Sequence, residues 1–178
     1  IRRGASLRKA RPDLEVVELK GNVPTRLRRL EEGGFDAIVL AAAGLNRLGL
    51  HPSGRHPLDP AVMPPALCQG IVAVEVRQDD RGRDWVDALN DPETMTATRA
   101  ERALLAELEV GCGAPVGGLA RIRDGRVEVY GEVLSPDGRA WARESRSGEA
   151  ERAAELGREV GRALVEGDGA AILESLRS

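Results

Sequence analysis

A chain of 178 residues with a formal net charge of −3 suits one large or two small domains and argues against nucleic acid as a partner. Apolar residues make up 42% of it but aromatics only 2%, so Leu, Val and Ala must fill the core. No apolar run approaches the length of a membrane span, no signal peptide is visible, and two cysteines without a framework of spacings point to a reducing, cytoplasmic setting.

Residues 4–10 read as the tail of a helix, and Leu14–Leu19 as a short β-rich run. Gly21-Asn22 turns the chain, Asn22 caps, and Val23, Leu27 and Leu30 line a helix that Gly33-Gly34 ends. Ala37-Ile38-Val39-Leu40 is a continuous apolar run, the pattern of a strand buried on both faces, and residues 41–48 read as helical. This alternation predicts part of a parallel α/β sheet. His51–Pro65 is a proline-rich connection, and Ile71–Val76 a further strand.

From about Arg81 the pattern changes. Helices are expected over 81–89 and 92–109, the second started by Asp91-Pro92 and striped by Ala97, Ala100, Leu104 and Leu108. Gly111 fits the left-handed position that ends this helix. Strands 119–123 and 126–134 flank Asp124-Gly125, a two-residue hairpin signal, with Val127, Val129 and Val133 on one buried face. Ser135–Gly138 makes another turn, followed by a third strand through Trp141. Ala153, Leu156, Val160 and Leu164 stripe a long helix, and residues 170–176 form a short last one.

Cys112 sits between Gly111 and Gly113, in a turn that would expose a thiol and let other groups approach it. Two readings stand: a small buried cysteine used as packing, and a reactive thiol. His51 and His56 are far off in sequence and read as solvated, and two cysteines this far apart match no zinc pattern, so no metal site is expected.

Glu101-Arg102 followed by Gly111-Cys112-Gly113-Ala114-Pro115-Val116-Gly117 resembles the cofactor-attachment signature of the porphobilinogen deaminase (hydroxymethylbilane synthase) family. Ile1-Arg2-Arg3, Arg11-Pro12-Asp13-Leu14, Gly21–Leu27, Phe35–Ala41 and Ala43–Gly49 follow the same family in the same order, so the resemblance runs over nearly the whole chain. Four positions depart from the pattern. Val110 stands where a glycine is usual, Ala114 where a β-branched residue is usual, Cys68 where the family has glycine before Gln69-Gly70, and Lys20 where it usually has arginine.

The resemblance implies an α/β plus α+β architecture. Residues 1–64 would be part of a periplasmic-binding-protein-like α/β domain, and 65–88 a return segment of a first domain mostly absent here. Residues 89–178 would be a C-terminal α+β domain of three antiparallel strands covered by helices. It implies a covalent dipyrromethane cofactor on Cys112, with Arg2, Arg3 and Arg26 holding cofactor carboxylates and Lys20, Arg26 and Arg47 holding those of the substrate, porphobilinogen. Arginine offers a planar fork to a carboxylate; Lys20 offers only a point charge. The implied activity is the stepwise condensation of four porphobilinogen units onto that cofactor with loss of ammonia, by an enzyme that is a monomer at full length. Ile1-Arg2-Arg3 is not a natural-looking start, so the chain reads as a fragment without the acid-base aspartate, inactive by itself. The alternative is a non-catalytic anion-binding module on the same scaffold. Cys68 reads as structural, and Arg28, Arg29, Arg143 and Arg146 as surface residues.

Overall fold

The computed structural model describes residues 1–79, 84–111 and 113–177. Four helices come first: α1 (Arg2–Ala10), α2 (Val23–Glu31), α3 (Ala42–Arg47) and α4 (Asp84–Ala88). The long α5 (Pro92–Leu108) leads into β1 (Val116–Arg123), β2 (Arg126–Leu134) and β3 (Trp141–Glu149), and α6 (Ala153–Glu166) and α7 (Ala170–Arg177) close the order. The strands form one antiparallel sheet in sequence order.

The helix starts are local chemistry. Asn22 Oδ1 accepts from Thr25 N at 2.9 Å, and Asp91 Oδ1 from Thr94 N at 2.7 Å, with a proline in the first turn of each helix. Gly33, at φ +76°, follows the end of α2. At the end of α5 the left-handed residue is Glu109 (φ 50°, ψ 40°), not Gly111. A tertiary contact sets that stop: Arg177 Nη2 from α7 donates to Leu108 O at 2.8 Å and satisfies an end carbonyl.

Asp124 (φ 50°) and Gly125 (φ 73°) both take positive φ, as a two-residue hairpin between right-twisted strands requires. Val127, Val129 and Val133 are fully buried against α5 and α6. Between them Gly131 leaves room for Leu104 and Leu164, whose methyls lie 2.9 and 3.1 Å from where its β-carbon would be. On α6, Gly157 lets the two helices touch, since a β-carbon there would collide with Ala100 O. The third strand begins at Trp141, where the sequence reading had it ending, because the Ser135–Gly138 turn closes a hairpin first.

The first half differs from the parallel sheet that its pattern suggests. Among the described residues, 14–19, 37–40 and 71–76 carry no strand ladder. Strand propensity makes a run able to pair, but pairing needs a neighbour, and none of these runs is paired as a strand. Val17 is 55% exposed and Val72 81%.

The edge of β1 is covered instead. Gly118 N donates to Pro65 O at 2.9 Å, and Ala120 N to Oε1 of the buried Glu101 at 2.8 Å. The other oxygen of Glu101 accepts from Cys68 N at 2.5 Å. One carboxylate thus ties α5, the edge strand and the connection at residue 68 together, leaving no outward N–H of 118 or 120 unpaired.

Candidate functional site

Helix α1, the start of α2 and α3 surround a cleft of about 550 Å³. Arg3 and Arg26 supply its charge, and Val23, Pro24, Leu40, Ala41 and Leu48 supply an apolar wall. Gly21, Asn22 and Gly44 complete the lining, so the N-terminal end of α2 opens onto it with its positive dipole end. Arg26 is oriented from its own turn, Nε donating to Gly21 O at 2.7 Å. That bond leaves the two terminal nitrogens as a fork. Among the described residues no carboxylate pairs with Arg3 or Arg26. Such a cleft can take a small apolar ring that carries carboxylates: the wall covers the ring and the arginines meet the charge.

Arg2 lies beside this cleft but points elsewhere. Its Nη1 donates to Pro64 O and its Nη2 to Gln69 Oε1 at 3.2 Å. Burial, and then the neighbouring charge of Arg3, lower its pKa.

The other expected site residues lie apart. Arg47, the last residue of α3, is exposed and is not in the cleft lining. Lys20 is exposed, its Nζ 3.5 Å from Glu18 Oε2. Cys112 lies outside the described residues. The structure therefore brings together Arg3 and Arg26, with Arg2 on the same helix as Arg3. Among the described residues no group of three or more His, Cys, Asp or Glu side chains is placed to hold a metal ion, and no helix is long and apolar enough to cross a membrane.

Cys68 is half-buried and takes φ +61°, a left-handed conformation unfavourable for a side chain. Burial first, then the charge of Glu101, push its thiol pKa up, while Arg102 opposes them. A thiol held protonated is a poor nucleophile, which suits a structural role.

The sequence reading missed a second charged cluster and misplaced one of its members. Arg143, read as surface, is 28% exposed in its side chain and bonds Glu132 Oε2 through Nε at 2.9 Å and Nη2 at 2.7 Å. Glu132 is fully buried, and Lys9 Nζ meets the same oxygen at 2.5 Å. Arg143 and Glu132 face each other in the β2–β3 register, which burial of that face converts from a surface pair to a core pair. A signal was present: Glu132 is a lone charge in the run Tyr130-Gly131-Glu132-Val133-Leu134. Its partner Lys9, 123 positions away, has no local signature.

Two family models match this chain. The porphobilinogen deaminase dipyromethane cofactor binding domain matches residues 1–84, and the porphobilinogen deaminase C-terminal domain matches residues 95–166. Among curated relatives, the porphobilinogen deaminase of Syntrophobacter fumaroxidans is 46% identical over 177 residues, covering 99% of this chain and 57% of that protein. Those of Moorella thermoacetica and Thermus thermophilus are each 44% identical over 179 residues, covering 57% and 60% of their own lengths. The chain thus spans less than two thirds of these relatives.

Proposed function

The chain belongs to the porphobilinogen deaminase family, and from that premise we propose that it is part of a hydroxymethylbilane synthase of tetrapyrrole biosynthesis. The observation that carries this reading is the cleft that pairs Arg3 and Arg26 with an apolar wall at the start of α2. Its residues fit a dipyrromethane, whose rings are flat and apolar and whose side chains are carboxylates. When bound, that group supplies the pyrrole carbon onto which porphobilinogen units are joined with loss of ammonia.

This chain's own residues do the holding. Arg26, fixed by Gly21 O, presents its fork to a carboxylate; Arg3 meets a second one from α1. The α2 N-terminus adds positive potential where charge gathers. Arg2 supports the anion from its half-buried place, and Lys20 and Arg47 serve carboxylates of incoming porphobilinogen from the rim. Cys112 provides the thiol for covalent attachment. Residues 1–64 form part of a periplasmic-binding-protein-like α/β domain, 65–88 a return segment and 89–178 the C-terminal domain. Acid-base chemistry would come from the share of the family's length that this chain does not span, 57% of the Syntrophobacter fumaroxidans relative being covered. The full-length enzyme works as a cytoplasmic monomer.

Intact-mass spectrometry of the protein produced with a family N-terminal portion tests the reading. A dipyrromethane adduct that disappears in Cys112→Ser supports it. An unmodified thiol in the unaltered protein, with anions still bound in the cleft, makes the chain a non-catalytic anion-binding module instead.

A further inference from the structure

Helix α1 carries two sets of cations at opposite ends. Arg3 at its start lines the cleft, and Lys9 in its last turn reaches the sheet of the C-terminal half. Nine residues at about 1.5 Å each make this a rod of roughly 13 Å, short enough to move as one piece. Lys9 meets a carboxylate already held by Arg143 from within the sheet, so Glu132 joins two parts of the chain rather than two neighbouring strands.

The surroundings are built for that contact. Across the ladder from Glu132 stands Gly117, where Pro64 packs in the space a side chain would fill. Lys9 Nζ also sits 4.4 Å from the centre of the Trp141 ring, a cation–π contact that holds the ammonium from a second strand. Arg143 lies over Tyr130 at 5.3 Å and donates to Ala61 O at 2.7 Å. The Ser135–Ala140 turn touches the same helix, Arg8 Nη1 donating to Pro136 O at 3.2 Å. A buried carboxylate between two cations strongly resists losing either one.

We propose that Glu132 is a positioning residue for the basic cleft: by clamping Lys9 it locks α1 to the C-terminal sheet and so fixes where Arg3 stands. The clamp itself is independent of the ligand, while its consequence for substrate rests on the function proposed above.

Hydrogen exchange read by mass spectrometry tests it, in the protein that carries this chain within a full-length enzyme. Peptides spanning α1, α5 and α6 are followed in Glu132→Gln, Lys9→Met and Lys9→Arg. Glu132→Gln leaves two cations facing an amide and can weaken folding as a whole, so Lys9→Met, which keeps the Arg143 pair, is the deciding variant. Lys9→Met is expected to speed exchange of the α1 amides about tenfold with α5 and α6 unchanged, and Lys9→Arg to restore protection. The same variant should raise KM for porphobilinogen about threefold or more while kcat stays within about twofold. Unchanged α1 protection in Lys9→Met overturns the clamp, as does acceleration of α5 and α6 equal to that of α1. Faster α1 exchange with KM unmoved overturns the positioning role. If the unaltered enzyme turns over no porphobilinogen, the function proposed above fails and the exchange pattern alone decides the clamp.

Discussion

Residues 91–177 build one buried apolar cluster from three strands and helices α5, α6 and α7, whereas residues 1–79 leave Leu14, Val17, Leu58, Val62, Val72 and Val74 exposed. Among the described residues before position 100, the buried apolar side chains are few, chiefly Ala5, Leu45 and Pro64. The difference follows from contact distance along the chain. The C-terminal half is made of neighbours in sequence, with β1 to β2 joined by two residues and α5 and α6 flanking the sheet. Local pairing costs little loop entropy, so this half closes its own core. The first half has helices joined by extended runs, and it finds its buried contacts mainly where α1 and residues 60–69 meet the sheet.

Core truncation probes that asymmetry most strongly. Leu104→Ala opens a cavity at the centre of the cluster and should cost about 2–5 kcal/mol, while Leu45→Ala should cost less than half as much. Urea denaturation followed by far-ultraviolet circular dichroism compares them, and equal losses would mean that the two halves share one core. The next effect concerns the link between the halves. Glu101→Gln turns one acceptor into a donor facing a backbone N–H, either Ala120 N or Cys68 N, and should lower stability by about 1–3 kcal/mol. It should also raise the rate at which a thiol reagent labels Cys68; a Tm and labelling rate like those of the unaltered protein would show the link to be dispensable.

A gain is expected at residue 68 itself. Cys68→Gly removes the side chain from a left-handed backbone and should stabilise by up to about 1 kcal/mol, partly offset by the entropy glycine adds to the unfolded chain. A lower denaturation midpoint in this variant would show that the thiol's packing outweighs the strain. The smallest effect is at the border between the halves. The bond from Thr94 N holds the Asp91 carboxyl below its ordinary 3.8, so its contribution is complete above that pH and fades as pH falls through the lower folded value. Asp91→Asn should remove this acid-side slope by losing the same small contribution near pH 7, so that the two proteins differ slightly at neutral pH and converge in acid, as pH-dependent melting would register.

Much of the local structure, above all in the C-terminal half, was legible in the sequence. The caps at Asn22 and Asp91, the Asp124-Gly125 turn, and the stripes on α5 and α6 stand where their patterns place them, because each depends on residues within a turn or two of one another. The runs at 14–19, 37–40 and 71–76 misled because apolar β-branched patterns report capacity to pair, not the presence of a partner. The site was legible in part. Arg3 and Arg26 line one cleft, yet no spacing says that Arg2 turns to Pro64 or that Arg47 stays outside the lining.

By itself, then, the sequence determined the helices, the hairpins, the buried faces of the sheet and the family to which the chain belongs, since these rest on short-range periodicity and on motif order. The tertiary structure alone decided which charges are buried. Lys9 and Arg143 look like ordinary surface residues, and the partners of Glu101 and Glu132 have no local signature, until distant segments close over them. Desolvation, which makes a buried ion demand its partners, is a property of that closure and not of any local stretch of chain.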